Sequence, residues 1–519
     1  MANDSTTVLP PIPWWLVGAA VVLFAVALPK PLAIDEESYL WLGRNVAFDN
    51  PYGWTRAWPG GEGFMYAHPP LHLWFMRLVS PLTSLPWIRL SALPWVVLWA
   101  ASSALWIRRT CHHPHVAAIA WLGSTTVVLG LQDSVMIDLP YVALGTAALA
   151  AYREGLTDRR VGWMLAAGLA FGLAVETKYP AAALGFVFAL HSWHYGAALA
   201  FWAPAAAIIG GTEAWLYTVH GRWHPAVVWE TRALIPRGDL AGRVLGTFAR
   251  GALLPATPAL LLTRPVHAAV GLGLAVGALA WARPAGLSAG NVVFLLVCAA
   301  LGAMALSRAA AGLFASPLRR RKGDRGDGLL LGGAVVTTFV GVMVFHNFAS
   351  ARYLLPAATP LAILLARSAE DVSVGKRVQV LVSSAAGLLA VALALADWQF
   401  AAAGESAAQK ALVSKEISTP GLFLGEWSGR ATLDAAGWTR ATDLDSIPLG
   451  DRVIVLSNSG GAVPATWQPL EVVEVKGGLP LRVVAVRDGI GLYAETLGPL
   501  PFGVSGRALE SAVIYEVAR

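Results

Sequence analysis

Stretches of about 20 mostly apolar residues recur along this chain, and each is long enough to cross a lipid bilayer as a helix. Within a bilayer every backbone N–H and C=O must be satisfied inside the segment, so such a chain folds as a bundle of spanning helices. Counting the runs gives roughly 13 spans. Charged residues make up only 13% of the 519, about half the share in a soluble domain. That is too few to clothe a water-exposed surface. The 22 tryptophans suit the headgroup zones, where an indole keeps its ring apolar and its N–H wet. The run from Trp14 to Pro29 reads as a retained first helix, because no basic residue precedes it as a secretory leader requires.

The loops set the expected orientation. Arg108 and Arg109, then Arg153, Arg159 and Arg160, then the cluster Arg319 to Arg325, then Arg367, Lys376 and Arg377 all fall on one side if the N-terminus is cytoplasmic. An odd number of spans places the C-terminus outside. Lys30, just beyond the first run, goes against this trend. The cysteines, Cys111 and Cys298, lie near the cytoplasmic side on this topology, so no disulfide framework is implied. The net charge of +6 punctuates apolar runs instead of forming a basic face, and no nucleic-acid partner is expected. No Gly-rich phosphate loop occurs, which argues against nucleotide hydrolysis.

Three outer stretches are more than turns. Residues 31–86 contain Asp35-Glu36-Glu37 and an apolar piece, Pro70 to Val79, too short to span and expected as an interfacial helix. Residues 219–243 form the second. Everything after Ala396 forms the third, and its short β-rich runs predict a small α/β or α+β domain of about 120 residues. The expected division is a transmembrane domain at 1–397 and a C-terminal domain at 398–519. No internal repeat is visible.

Ionisable groups within or beside spans are costly, so each is a candidate site residue. Asp35 and Glu36 follow the first span, where a carboxylate can take a proton from a hydroxyl; an acidic first helical turn explains them as well. Asp133 and Asp138 flank the outer turn between the third and fourth spans, and Asp138 also suits an N-cap. Lys178 and Arg352 end outer helices, and a guanidinium fork fits a phosphate. His68, before Pro69-Pro70, is a third candidate phosphate contact, although a lone His is more often structural than catalytic. Cys111-His-His-Pro-His115 has metal-ligand residue types in a cytoplasmic loop, but its spacing alone is unspecific. His220 and His224 with Glu213 and Glu230 suit ordinary loop positions, or contacts to an acceptor or metal. The Arg319 to Arg325 cluster suits anionic lipid. Together the outer groups match one reaction. A sugar on a polyprenyl phosphate has a stable anion as its leaving group, so transfer needs cations around the phosphate and one carboxylate base. A transporter or flippase for a lipid-linked glycan is the alternative, and it would want polar groups at several depths.

The motifs also resemble those of a known family. Ile34-Asp-Glu-Glu-Ser-Tyr39, His68-Pro-Pro-Leu-His-Leu-Trp74, Asp138-Leu-Pro, Thr177-Lys-Tyr-Pro180 and Arg352-Tyr-Leu-Leu-Pro356 resemble, in order, the motifs of GT-C-class membrane glycosyltransferases. They are closest to the bacterial group like protein O-mannosyltransferases and aminoarabinose transferases. The resemblance covers about residues 14 to 400. It implies a polytopic helical bundle with a periplasmic C-terminal domain in the bacterial inner membrane. It implies inverting transfer from an undecaprenyl-phosphate sugar to a lipid, glycan or protein acceptor on the periplasmic face. By motif, Asp35 is the catalytic carboxylate with Glu36 beside it, and Asp138 is the second acid. His68, Lys178, Arg352 and its neighbour Tyr353 face the donor phosphate. Some relatives have Lys where this chain has His68. A divalent metal ion is left open as a cofactor.

Overall fold

The computed structural model describes residues 10–33, 35–52, 68–82, 84–158, 160–195, 199–231, 238–254, 265–315, 327–371, 376–417, 419–425, 428–441, 444, 447–457 and 463–518. The Arg319 to Arg325 cluster and Arg159 lie outside them. Helices dominate up to residue 412. They are α1 (Trp15–Val26), α2 (Glu36–Asn45), α3 (Leu71–Val79), α4 (Leu85–Leu90), α5 (Leu93–Thr110), α6 (Pro114–Leu122), α7 (Thr125–Gln132), α8 (Asp138–Asp158), α9 (Val161–Thr177), α10 (Ala182–Tyr195), α11 (Leu199–His220), α12 (His224–Thr231), α13 (Leu240–Gly251), α14 (Pro265–Ala282), α15 (Ala289–Ala315), α16 (Asp327–Val340), α17 (Ala358–Asp371) and α18 (Lys376–Leu412). Prolines open α4, α5 and α6, where the missing N–H costs no helical bond.

Among the described residues, six helical stretches are long and apolar enough to cross a membrane, and α6 with α7 makes a seventh if that bent pair is one span. The chain is thus a multi-pass membrane protein, but these criteria do not reach the expected thirteen. Part of the difference is that runs fold as shorter helices, such as α1 and α9. Another part is the break between α6 and α7, which bend by 61°. A Cβ on Gly123 at that break would lie 2.5 Å from the Ser383 carbonyl oxygen of α18, so only glycine allows this approach. The piece from Pro70 to Val79 is helical as expected, over Leu71–Val79.

The helical core is apolar with a few polar rivets. Trp99 meets Trp121 edge-on at 4.9 Å, and the Trp121 indole donates to Thr359, which also bonds Ser103. Such hydrogen bonds tie helices together where apolar contact alone cannot discriminate protein from lipid.

Beyond α18 come β1 (Leu422–Leu424), α19 (Arg430–Ala435), β2 (Thr439–Arg440), β3 (Arg452–Leu456), β4 (Gln468–Val475), β5 (Leu481–Arg482), β6 (Val484–Ala485), β7 (Ile490–Gly491), β8 (Gly503–Val504) and β9 (Glu510–Glu516). Five strands form one mixed sheet in the order β2-β1-β3-β9-β4. Strand β1 is parallel to β2 and β3, and β9 is antiparallel to β3 and β4. Ala407, Ala408 and Ala411 of α18 pack on Phe423, Ile454 and Ile514 of the sheet. Helix α18 therefore runs unbroken through residue 397, and its last turns belong to the core of the sheet domain. At 1.5 Å per residue it is about 55 Å long, enough to cross a bilayer and still reach the sheet.

Ion pairs gather at both ends of α8. Near its C-terminus, Arg153 pairs with Asp327, and Glu154 with Arg109. These lie about 24 Å along the axis from Asp138, with no charged residue between. Toward the Asp138 end, a second buried network joins α1, α7, α18 and the sheet domain. Lys30, fully buried, bridges Asp133 at the end of α7 and Asp397 of α18. The Tyr493 hydroxyl from the sheet domain contacts both carboxylates, at 3.1 and 2.5 Å. Lys30 thus departs from the charge trend because it is a structural cation inside the protein. Replacing one partner of a buried pair leaves the other uncompensated and costs about 3–5 kcal/mol. Lys30→Met is expected to lower thermal stability in detergent by that order, as read by tryptophan fluorescence; an unchanged midpoint would remove the network from the stability account.

Candidate active site

Each candidate side chain sits at or beside the end of a helix or helical turn. Asp35 immediately precedes α2 and makes no capping hydrogen bond of its own. Asp138 opens α8, where an acid complements the helix dipole. Lys178 follows α9 in an extended conformation, two residues before Pro180, which has no backbone N–H to continue the helical ladder. Arg352 and Tyr353 lie in a 3₁₀ turn, Ala351–Ala357, leading into α17. His68 precedes Pro69 and Pro70 at the approach to α3.

These residues converge. Lys178 Nζ donates to Asp138 Oδ1 at 2.6 Å, and both side chains are buried. Arg352 Nη2 donates to Asp35 Oδ2 at 2.9 Å, and its Nε lies 3.9 Å from Asp138 Oδ2. Asp138 Oδ2 and Arg352 Nε are both buried without a hydrogen-bond partner. The Lys178 ammonium stands 4.5 Å from the centre of the Tyr353 ring, which stacks on His346 at 4.1 Å. Acid, base, acid and base thus alternate from Asp35 through Arg352 and Asp138 to Lys178. Burial, followed by the Lys178 cation, the neighbouring His346 and the Arg352 cation, pushes the His68 imidazole well below its usual range. His68 is neutral in this setting, and an anion placed among those cations would reverse part of the push. A small, partly open cleft is lined by Asp133, Met136, Asp138, Arg352, Leu492 and Tyr493, with residues of α7.

Glu36 behaves differently from its neighbour. It is fully buried and pairs with Arg89 through both oxygens, at 3.1 and 2.9 Å. It also accepts from the backbone N–H groups of Ala33 and Val135. Its acceptor capacity is spent inside the protein, so its geometry is that of a structural pair holding α2, α4 and the turn before α8 together. Asp35, with 37% of its side chain exposed, is the member of the motif open to a ligand.

Of the remaining candidates, Asp133 is tied to Lys30. Glu230 pairs with exposed Arg222. The Tyr179 hydroxyl donates to Glu213 and accepts from His224 Nδ1, at 2.7 and 2.6 Å, and Tyr52 stacks on His224 at 4.9 Å. His115 accepts a hydrogen bond from the Trp15 indole. No group of three or more His, Cys, Asp or Glu side chains among the described residues is placed to share a metal ion. Both acids of the site are already held by cations.

Arg89, Tyr493 and Met136 join the site region without having been singled out in the sequence. The charge of Arg89 inside an otherwise apolar stretch was an available signal. Nothing local marks Tyr493, which reaches the cleft from a part of the chain 355 positions beyond Asp138 in the numbering of the sequence.

No family model matches the chain, and no curated protein sequence does. Among solved structures, the chain is similar to that of ArnT from Cupriavidus metallidurans bound to undecaprenyl phosphate. The two are 16% identical, the match covers 85% of this chain and 92% of that one, and the TM-score is 0.40.

The two carboxylates of the Asp35-Glu36 pair should separate in experiment. An ion pair open to solvent is worth about 0–1 kcal/mol, and Asp35 is the exposed partner of its pair, whereas orphaning a buried pair costs about 3–5 kcal/mol. Asp35→Asn is expected to leave the thermal midpoint nearly unchanged, and Glu36→Ala to lower it markedly. Equal midpoints for the two variants would contradict the division of roles.

Proposed function

We propose that the chain is a glycosyltransferase that moves a sugar from a polyprenyl-phosphate donor to a hydroxyl acceptor, with inversion at the anomeric carbon. The observation that carries this reading is the pairing of Lys178 and Arg352 around the Tyr353 ring, between Asp35 and Asp138. Two fixed cations at one end of a helical bundle suit a phosphate whose lipid tail lies among the helices. The unpaired Nε of Arg352 and the neutral His68 are further donors for it. Asp138 holds the Lys178 ammonium in place.

The chemistry balances with these groups alone. The acceptor hydroxyl loses its proton to Asp35 while its oxygen attacks the anomeric carbon. The bond from that carbon to the phosphate oxygen breaks, and its electron pair leaves with the polyprenyl phosphate. Lys178 and Arg352 stabilise the charge that grows there. In the resting site Asp35 sits on Arg352; a phosphate that takes over the guanidinium leaves Asp35 free as a base. The donor lipid is undecaprenyl phosphate if the enzyme works on the periplasmic face of a bacterial inner membrane, as the loop charges suggest. The acceptor is a lipid, a glycan or a protein. A flippase is less well supported, because α8 carries no charge between its two ends.

The test is transfer from radiolabelled undecaprenyl-phosphate sugars into an envelope acceptor fraction by purified protein. General-base catalysis contributes about 10²–10⁴-fold, so Asp35→Asn should lose activity on that scale. Losing one preorganised charge costs about 10²–10³-fold, the drop expected for Lys178→Met. Label that crosses proteoliposome membranes equally with wild type and Asp35→Asn, without transfer, would replace this reading with the transporter.

A further inference from the structure

The 3₁₀ turn that carries Arg352 has outside support as well as its own hydrogen bonds. Its approach, residues 347–351, is gripped by a loop of the C-terminal domain. Ala351 N–H donates to the Leu492 carbonyl at 3.2 Å, and Glu495 N–H donates to the Ala349 carbonyl at 3.1 Å. Ala349 N–H donates in turn to the Glu495 carboxylate. The loop is itself closed: Gly491 N–H donates to Leu500 and Leu500 N–H to Gly489, at 2.9 and 3.0 Å. A Cβ on Gly498 would lie 2.1 Å from the Gly489 carbonyl carbon, so the closure depends on that glycine.

Helix α13 locks the loop from the other side. Arg250, fully buried, donates to the carbonyls of Gly491, Leu492 and Gly498. Two turns earlier, Arg243 donates to the carbonyls of Val344 and His346, and His346 is the ring stacked on Tyr353. Residues seven apart share a helix face, so one face of α13 fixes both the loop and the start of the Arg352 segment. Gly246 lies between them, and a Cβ there would meet the Glu495 Cβ at 2.8 Å and the Ala349 Cβ at 3.2 Å. Three guanidinium contacts from buried Arg250 tie the loop's backbone carbonyls to α13, and two from Arg243 tie the same helix to the Val344–His346 backbone.

We infer that the Gly489–Gly498 loop, held by Arg250, is a positioning element of the active site, with Glu495 and Leu492 fixing the Ala349–Ala351 backbone so that Arg352 meets the donor phosphate. Glu495 and Arg250 act through Arg352 and touch no substrate. The role at the phosphate rests on the glycosyltransferase reading; the mechanical coupling does not.

Hydrogen exchange and donor kinetics on the full-length protein in detergent test both. In Glu495→Ala, exchange of the Ala349 and Ala351 amides should rise about tenfold while the α8 amides stay unchanged. The donor KM should rise about tenfold with kcat within about twofold, the split expected of lost ground-state positioning. Glu495→Gln keeps an oxygen to accept from Ala349 and should restore both readouts. Unchanged exchange and unchanged KM in Glu495→Ala, in a wild type that turns over donor, overturn the loop proposal alone. A wild type that turns over no polyprenyl-phosphate sugar overturns the glycosyltransferase reading and, with it, the role given to the loop.

Discussion

Two cations at the end of a membrane bundle, one buried and one partly exposed, must be matched by carboxylates, and the site follows from how unequally that is done. Lys178 is paired with Asp138 deep in the protein, at 2.6 Å, where removing either partner leaves a charge stranded. Arg352 is paired with Asp35, whose side chain is over a third exposed, where a pair is worth little and exchanges readily. One pair is permanent and the other is available. On the proposed reading, an incoming phosphate competes for Arg352 and the carboxylate it displaces is the partly exposed Asp35.

The same rule explains the charges around the site. Glu36 and Arg89 join α2 to α4 and to the turn before α8. Lys30 joins the end of α1 to α7, α18 and the sheet domain. At the far end of α8, Arg153 with Asp327 and Arg109 with Glu154 do the equivalent work. Apolar faces cannot choose one helix neighbour over another in lipid, but a buried ion pair can. These pairs therefore act as registration points for the bundle, and α8 is pinned at both ends.

How far this was legible in the sequence depends on how local each signal was. Asp35, Asp138, Lys178 and Arg352 stand out because each is a charge at the edge of an apolar run, and the structure brings all four together. The β-runs at 452–456, 470–475 and 512–517 read correctly because strand period and composition are local. Glu36 looked like a twin of Asp35; its fate is set by Arg89, 53 positions away. The bend between α6 and α7 is set by the backbone of α18, and the extension of α18 into the sheet domain by an alanine face that packs on strands not yet formed in sequence order. Tyr493 and the Glu495 grip depend on the docking of a whole domain, which no window of sequence contains.

The most direct test of the central claim is a cryo-electron microscopy map of the protein with bound polyprenyl phosphate. Phosphate density is expected within hydrogen-bonding distance, about 3 Å, of Lys178 Nζ and the Arg352 guanidinium, with Asp35 turned away from Arg352 toward the cleft. Phosphate density elsewhere, with the Asp35–Arg352 pair intact, would contradict it.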